Sequence, residues 1–359
     1  MNMHLDRKDS ARAQPSREDI VHFLEALPDM ADVGKVQVLC AEFLARIPHD
    51  KLLEVCSAVS HAHPFFLPQV DDATAENLKI GMNQLAELVM RGRLTASRAK
   101  KCDILVACAP KSASTFIANA LKVGLGSRLA SLACPTASAL SSSMLGANLR
   151  SQELDELALL RNGLDPRNYV AQHHVRCTPY LARQLALYGV KPIVTIRNFF
   201  DSLVSLDDML VSWRKVYEQV QTRFFNDGLP AYYSDMPQDE RLDLLVDAHA
   251  VWYVQFLLSW QKCETFGLVK PLWISYENDF LGDKQQLAAK IATFIGSDFV
   301  DPQKLADALA DKRDGTSLRL NKGIAGRGEA VSAAVRQRAL AIFNRYDRDG
   351  DLAPLIGVA

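Results

Sequence analysis

A strand, a tight turn and a helix are predicted by residues 102–126, CDILVACAPKSASTFIANALKVGLG. The apolar run over 104–109 has the length and composition of a buried strand. Pro110 and Lys111 interrupt it, small hydroxylated residues follow, and a helical pattern covers 115–124. The N–H groups at the start of a helix lack intrahelical partners and carry partial positive charge. The arrangement is therefore typical of a site that binds an oxyanion.

Downstream of this stretch, short β-rich segments alternate with helical patterns. The strands are predicted at 103–109, 169–175, 191–197 and 269–277, and the helices at 115–124, 151–161, 179–188, 201–220, 241–266 and 284–296. Such alternation implies an α/β fold of three α/β/α layers, with a central parallel sheet covered on both faces. Ligands in open parallel sheets bind beyond the carboxyl ends of the strands, where Lys111, His174 and Arg197 fall.

The composition limits the classes of function. The chain has 359 residues, 48% of them hydrophobic and 23% charged, with a formal net charge of −1. No global field draws it to nucleic acid or to an anionic membrane, so an anion site has to be local. Seven scattered cysteines without a C-x-x-C pair predict a reducing, cytoplasmic compartment. No apolar run approaches the ~18 residues of a membrane span, and the N-terminus lacks a signal peptide's apolar region.

The N-terminal part of the chain is predicted to be an all-helical module. The expected organisation is a disordered lead at 1–17, a helical module at 18–100 and an α/β domain at 101–359. Helices are predicted at 35–47, 50–62 and about 73–89, after a first helix that Ser16 and Asp19 would cap. Two roles are open for this module: dimerisation, which would make the protein a homodimer, or covering a substrate site.

The turn after the first strand carries groups that suit an anion. Lys111 adds a full positive charge, and Ser112, Ser114 and Thr115 add hydroxyl donors to the backbone amides. The Walker A pattern G-x-x-x-x-G-K-[ST] does not occur here. Taken alone, the turn has a second interpretation, a capped helix with an exposed lysine.

Two further segments add groups of the same chemistry. VTIRNFFDSLVSLDDM places Arg197 at a strand end and Ser205 in the following helix. A guanidinium binds phosphate in a fork geometry, so this pair is suited to a phosphate. LNKGIAGRGE (320–329) is a basic loop with Lys322 and Arg327, and its glycines allow close approach of the backbone to an anion. Read separately, the two segments are also compatible with a strand–helix junction and a surface loop.

Together, these segments resemble the cofactor-binding elements of sulfotransferases, which use 3′-phosphoadenosine 5′-phosphosulfate (PAPS). The residues that carry the resemblance are Pro110 to Thr115, Arg197-Asn198 with Asp201 and Ser205, and Asn321-Lys322-Gly323 with Gly326-Arg327-Gly328. ISYEND (274–279), which contains Tyr276, resembles a strand-end segment of the family and adds Tyr276 to the expected cofactor-binding residues. The resemblance covers roughly residues 102–350, about two thirds of the chain.

The resemblance implies that the first turn is P-loop-like and binds the 5′-phosphosulfate. The amides and hydroxyls around Ser112, Ala113, Ser114 and Thr115 would cradle this group. Lys111 would neutralise charge on the bridging oxygen as the phosphate leaves. Many members of the family have a glycine where this chain has Ala113, so the turn must avoid positive φ there or accept strain.

The other two elements are implied to bind the 3′-phosphate, which distinguishes PAPS from ATP. Arg197 and Ser205 would hold it. Lys322 and Gly323 would close over it, with Arg327 as a further contact. A dedicated second phosphate site would make the protein selective for this nucleotide.

YVAQHHVRCTPYL places two histidines at the end of a predicted strand. A histidine near neutral pH is suited to remove the proton of an acceptor hydroxyl. Adjacent strand residues point to opposite faces, so one of His173 and His174 faces the site. The resemblance favours His174 as the base. Gln172 stands where many members of the family have a lysine, and it offers a hydrogen bond without charge.

The first hypothesis is a PAPS-dependent sulfotransferase that acts on a hydroxyl of a small molecule, glycan or lipid. It requires neither a metal ion nor nucleic acid. The acceptor pocket is expected near 138–149 and an aromatic stretch at 213–233. That stretch includes Trp213, Tyr217, Phe224, Phe225, Tyr232 and Tyr233, which are also compatible with a helical core. The alternatives are a kinase-like phosphotransferase and a non-catalytic interaction protein on a sulfotransferase frame.

Overall fold

The computed structural model describes residues 14–27, 32–62, 72–77, 79–133, 153–216, 229–230, 232–311 and 326–357. The helices are α1 (Arg17–Ala26), α2 (Val33–Leu44), α3 (His49–Ala62), α4 (Asp72–Asn77), α5 (Met82–Arg98), α6 (Ser114–Leu125), α7 (Glu156–Leu164), α8 (Pro179–Leu187), α9 (Phe199–Val216), α10 (Gln238–Thr265), α11 (Lys284–Ile295), α12 (Pro302–Ala310), α13 (Ala333–Phe343) and α14 (Ala353–Ile356). The strands are β1 (Asp103–Cys108), β2 (Arg128–Ala130), β3 (Tyr169–His173), β4 (Val190–Ile196) and β5 (Leu272–Ser275).

The strands form one parallel sheet in the order β2-β3-β1-β4-β5. The predicted α/β fold with a central parallel sheet is confirmed, and each of the four predicted strands is present. The sequence prediction missed β2, which has only three residues. In the register of the sheet, Ala107 lies opposite His173, and Cys108 lies opposite Thr195. The ends of β1, β3 and β4 therefore meet at one edge of the sheet.

Alternation along the strands divides the interior into two hydrophobic cores. In β1, Leu105 and Ala107 face one core, while Ile104 and Val106 face the other. The first core is filled mainly from α7, α8, α9, α10 and α13, and the second from α6, α11 and α12. The expected three-layer architecture is therefore present, because helices cover both faces of the sheet.

At the N-terminus, α1 begins with the predicted capping box. Ser16 Oγ accepts from the N–H of Asp19 at 3.1 Å, and Asp19 Oδ2 accepts from the N–H of Ser16 at 2.8 Å. The prediction of one helix over 73–89 is wrong, because the chain forms α4 and α5 with a break between them. Gly81 is extended and caps α5, and its N–H donates to Gln84 Oε1 at 2.9 Å. The helical periodicity of the apolar residues continues across this break and conceals it.

The helices before β1 make two sets of contacts. Helices α1 to α3 share a small core in which Phe23 stacks on Phe43, with ring centroids 3.9 Å apart. Helix α5 packs on α7 and contributes Ala96 to the core on that side of the sheet. Arg93 of α5 donates to both carboxylate oxygens of Glu156 in α7, at 2.5 and 2.7 Å. The division at residue 100 stays a prediction.

Within the described residues, no helix combines the length and apolar character that crossing a bilayer would require.

A buried carboxylate, Asp103, lies at the opposite end of β1 from the meeting point of the strand ends. Its side chain accepts from the N–H of Tyr169 at 3.1 Å and lies 3.2 Å from Lys101 Nζ. Burial raises the pKa of Asp103 to about 6, although Lys101 acts in the other direction.

Candidate active site

The turn between β1 and α6 has an unusual backbone conformation. Lys111 has a φ of 66° and Ala113 a φ of 61°, and they are the only non-glycine residues with positive φ in the described part of the chain. Of the two possibilities that the sequence allowed at Ala113, avoiding positive φ or adopting it with strain, the structure shows the second. A left-handed conformation costs an L-residue roughly 1–2 kcal/mol. The carbonyl of Ala113 then begins α6 by accepting from the N–H of Ile117 at 3.0 Å.

A buried pair of hydroxyls holds the centre of this turn. Ser112 Oγ lies 2.6 Å from the carbonyl of Ala109 and 2.7 Å from Thr195 Oγ1 in β4. A carbonyl only accepts, so the single proton of Ser112 goes to Ala109. Thr195 therefore donates its own proton to Ser112. Both hydroxyl-bearing residues are buried, with Ser112 1% and Thr195 0% exposed, and the Ser112 hydroxyl is engaged within the protein.

Two long side chains hold the remaining carbonyls of the turn. Tyr253 in α10 donates its hydroxyl to the carbonyl of Pro110 at 2.9 Å. Arg197, just after β4, donates from Nη1 to the carbonyl of Lys111 at 3.1 Å. The sequence reasoning missed both Thr195 and Tyr253. A hydroxyl inside the apolar strand IVTI was a signal for Thr195, whereas Tyr253 lies in a long helical pattern that gave none.

The first turn of α6 presents the other predicted hydroxyls. Ser114 Oγ accepts from Gln172 Nε2 in β3 at 2.9 Å. Gln172 thus supplies a neutral donor to the first turn of α6, and its expected bond to a sulfuryl group stays a prediction. Thr115 is half-buried.

Lys111 is directed toward α9. Its Nζ lies 3.5 Å from the sulfur of Met209. The pKa of Lys111 is lowered to about 8, first by burial and then by the nearby cations Arg197 and Arg327, while Asp208 acts in the opposite direction. The ammonium group is therefore held in a partly apolar place among other cations, where an anion would stabilise its charge.

One face of α9 runs along this group of cations. Asp201, Ser205, Asp208 and Met209 follow the i, i+4, i+7, i+8 spacing that places residues on one side of a helix. Asp201 Oδ2 lies 3.5 Å from Arg197 Nη2. Asp208 Oδ2 lies 2.5 Å from a guanidinium nitrogen of Arg327. Ser205 is buried between these two carboxylates in the helix, at 2% exposure.

Arg197 is fixed in orientation as well as position. Its guanidinium lies over the ring of Tyr276, 3.9 Å from the ring centroid. Tyr276 begins a short π-helical turn, Tyr276–Phe280, directly after β5. The next residue, Glu277, accepts from the N–H of Asn198 at 3.0 Å and so ties this turn to the start of α9. The predicted Arg197 and Tyr276 therefore lie together in the structure.

The third predicted element is described only in its second half. Asn321, Lys322 and Gly323 lie outside the described residues, and their expected contacts stay predictions. Arg327 lies in a short 3-10 turn, Arg327–Ala330, and reaches Asp208 of α9. Arg327, a predicted cation of this element, therefore lies on the same face of α9 as Lys111 and Arg197.

The two histidines after β3 have different surroundings. His173 is buried, and its Nε2 accepts from the N–H of Leu132 at 2.8 Å. Burial lowers the pKa of His173 to about 3, which keeps the ring neutral. His174 Nδ1 lies 2.9 Å from the carbonyl of Cys108. Cys108 Sγ also lies 3.3 Å from this nitrogen. Because the nearer carbonyl oxygen only accepts, the proton is assigned to Nδ1, and the lone pair of the neutral ring then lies on Nε2.

The described residues include few of the predicted acceptor-lining positions. Segment 138–149 and Tyr217, Phe224 and Phe225 lie outside them, and the side chain of Trp213 is not described. Tyr232 is 61% exposed. Tyr233 is buried and donates its hydroxyl to Asp207 at 2.8 Å. Trp252, which the sequence reasoning did not select, packs edge-on to His174 with ring centroids 6.4 Å apart.

Within the described ranges, no cluster of three or more histidine, cysteine or acidic side chains is arranged to hold a metal ion.

No protein-family model and no curated protein matches this sequence. Among solved structures, the chain is similar to the mouse sulfotransferase SULT7A1, crystallised in complex with PAP, with 18% sequence identity and a TM-score of 0.46. The similarity covers 73% of this chain and 90% of the mouse chain. It assigns no role to an individual residue.

The hydroxyl pair Ser112–Thr195 is expected to stabilise the strained turn. Thr195→Val keeps the shape and removes the donor, so we expect the free energy of unfolding to fall by about 1–3 kcal/mol. A double-mutant cycle with Ser112→Ala, measured by urea denaturation, should give a coupling energy of about 1 kcal/mol. Ser97→Ala, on the exposed face of α5, is the control and should change stability by less than about 0.5 kcal/mol. Strictly additive effects of the two substitutions would contradict the assignment.

Proposed function

We propose that this protein is a sulfotransferase that transfers the sulfuryl group of PAPS to a hydroxyl group of an acceptor. The observation that carries the proposal is the grouping of Lys111, Arg197 and Arg327 along one face of α9. These cations come from three segments far apart in the sequence. Folding brings their charges together at the carboxyl edge of a parallel sheet, where ligands bind in this class of fold.

The arrangement fits a ligand with two anionic ends. One end would lie at the first turn of α6, where the backbone amides, Lys111 and the hydroxyls of Ser114 and Thr115 are candidates to bind the 5′-phosphosulfate. The other would lie at Arg197 and Ser205, with Arg327 beside them. Arg197 is buried and Lys111 is half-buried, and cations that lose hydration in this way favour an anion that replaces it.

The chain's own residues supply the remaining chemistry. When bound, PAPS supplies the sulfuryl group and an adenosine bisphosphate leaving group. His174 holds its lone pair on Nε2 and would take the proton of the acceptor hydroxyl at this atom. His173 is unsuited to this role, because the N–H of Leu132 already occupies its Nε2. Lys111 would neutralise the negative charge that develops on the leaving phosphate.

The acceptor is proposed at the level of its reacting group, a hydroxyl of a small molecule, glycan or lipid. Trp252 lies beside His174 and would form one wall of the space that the acceptor enters. In the described part of the site, no side chain favours a kinase-like reaction over sulfuryl transfer. The arms of the binding experiment below nevertheless include ATP with magnesium, so that this alternative is tested directly.

A dedicated second phosphate site predicts a preference for nucleotides that carry a 3′-phosphate. We expect 3′,5′-adenosine bisphosphate to bind at least about tenfold more tightly than 5′-AMP, since a charge-assisted contact contributes about 1.5–3 kcal/mol. Isothermal titration calorimetry at neutral pH measures both constants, and Arg197→Gln should remove the difference. Equal affinity for the two nucleotides, or tighter binding of ATP with magnesium, would overturn the proposed function.

The pKa of Lys111 predicts how this binding depends on pH. Below about pH 8 the lysine is charged in the free protein, so affinity for the bisphosphate is steady. Above it the free protein loses the proton, and binding has to restore it, so Kd should rise by up to about tenfold per pH unit. Lys111→Arg keeps the charge throughout and should flatten the profile between about pH 7 and 9. An equally steep profile in that variant would contradict the assignment of the titrating group to Lys111.

The role of His174 is tested by its effect on turnover rather than binding. A panel of phenols, sugars and lipid alcohols with radiolabelled PAPS first identifies an acceptor. On that acceptor, His174→Ala should lower kcat by about 10²- to 10⁴-fold while the affinity for the bisphosphate stays within about twofold. His22→Ala, on the exposed face of α1, is the control and should leave both quantities unchanged. Full turnover by His174→Ala would remove this residue as the base.

A further inference from the structure

We propose that Asp201 is the positioning residue that makes this site recognise a second phosphate. Its buried carboxylate pairs with Arg197. The same carboxylate accepts hydrogen bonds from the backbone amides that flank Arg327. It thereby sets the two guanidinium groups for the same anion. This inference rests on the proposed function, since it specifies how the 3′-phosphate part of that site is built.

The contacts of Asp201 reach across the chain. Its Oδ1 accepts from the N–H of Gly328 at 2.6 Å, and its Oδ2 accepts from the N–H of Gly326 at 2.9 Å. These two amides flank Arg327, so the carboxylate fixes the backbone from which that arginine extends. Hydrogen bonds to an ionised carboxylate are about twice as strong as bonds between neutral groups. Asp201 is 4% exposed, and water competes little for its oxygens.

The turn at 326–328 is packed directly against the start of α9. A Cβ atom at Gly328 would lie 2.6 Å from Cβ of Phe200 and 2.9 Å from the backbone N of Asp201. Any side chain there would push the turn away from the helix. Arg336 Nη2 also donates to the carbonyl of Gly328 at 2.7 Å. The turn is thus held from both sides, and the Asp201 carboxylate is the contact that faces the site.

On its other side, the same carboxylate orients Arg197. Asp201 Oδ2 lies 3.5 Å from Arg197 Nη2, which is an ion-pair distance. The ring of Tyr276 and the carbonyl of Lys111 fix the rest of the group. Oδ2 is therefore shared between the Gly326 amide and Arg197. Moving the carboxylate would displace both cations of the 3′-phosphate site together.

An asparagine at position 201 keeps the size and shape of the side chain but changes its chemistry. A carboxamide has one acceptor oxygen and one donor nitrogen, so it cannot accept from both glycine amides. One of the two amides then loses its partner, and Arg197 loses a counter-charge. Asp201 makes no direct contact with the Lys111 end of the site, whose Ser112 and Ser114 hydroxyls keep their bonds to Thr195 and Gln172. The link between the two ends is the bond from Arg197 to the Lys111 carbonyl, and the ring of Tyr276 still holds Arg197 there.

The experiment compares Asp201→Asn with wild type by calorimetry, using 3′,5′-adenosine bisphosphate and 5′-AMP as probes. The expected result is that the preference for the bisphosphate over 5′-AMP falls by about 10- to 100-fold. The affinity for 5′-AMP itself should change by less than about threefold. A residue with only a structural role would weaken both nucleotides alike, so the ratio separates positioning from loss of folding.

Asp103→Asn is the matched control. Asp103 is also a buried carboxylate that accepts from a backbone N–H and pairs with a cation, but it lies at the other end of β1. Its substitution should leave the preference for the bisphosphate unchanged. If Asp201→Asn does not fold, Gly328→Ala tests the same inference, because it displaces the turn while Asp201 stays intact, and it too should lower the preference.

The outcomes separate this inference from the proposed function. A wild-type protein that does not prefer the bisphosphate overturns the proposed function and this inference with it. A wild type with the preference, together with a folded Asp201→Asn variant that keeps it, overturns the inference alone. The same holds for Gly328→Ala where Asp201→Asn does not fold. Loss of the preference in the tested variant, with Asp103→Asn unaffected, supports both.

Discussion

The site depends on a backbone conformation that its own residues disfavour. Lys111 and Ala113 both adopt the left-handed region, at a cost of roughly 1–2 kcal/mol each. The turn has little to offset this cost locally, so the offset comes from the body of the protein. Thr195, Arg197 and Tyr253 bond to the turn from β4 and α10. The strained conformation is therefore imposed by the assembled fold, which positions the site before any ligand arrives.

A second constraint is the assembly of like charges. Lys111, Arg197 and Arg327 would repel one another at close range in a partly buried place. The carboxylates of Asp201 and Asp208 on α9 offset this repulsion, each with one arginine. The two acidic side chains therefore offset the mutual repulsion of the cations and hold the arginines in place. The hydrogen bonds and ion pairs of these carboxylates fix the two arginines in position.

The parts of the fold that were predictable are local in sequence. Apolar runs and the helical pattern after the first strand identified β1, β3, β4, β5 and α6, and strand ends located Lys111 and Arg197. The contacts that build the site join residues that no local pattern links. Asp201 and Gly326 are 125 positions apart, and no local sequence pattern predicts the hydrogen bond between them. The sequence likewise predicts two adjacent histidines on opposite faces, and their contacts with the N–H of Leu132 and the carbonyl of Cys108 distinguish them.

Gln172 shows how a neutral side chain fits the electrostatics of its surroundings. It donates to Ser114 in the turn that also contains Lys111, and it does so without charge. A lysine at position 172 would add positive charge to the turn that contains Lys111, whose pKa is already lowered to about 8 by burial and by Arg197. That charge would lower the pKa of Lys111 further and leave less of it protonated near neutral pH. With a neutral donor at position 172, no further positive charge lowers the pKa of Lys111.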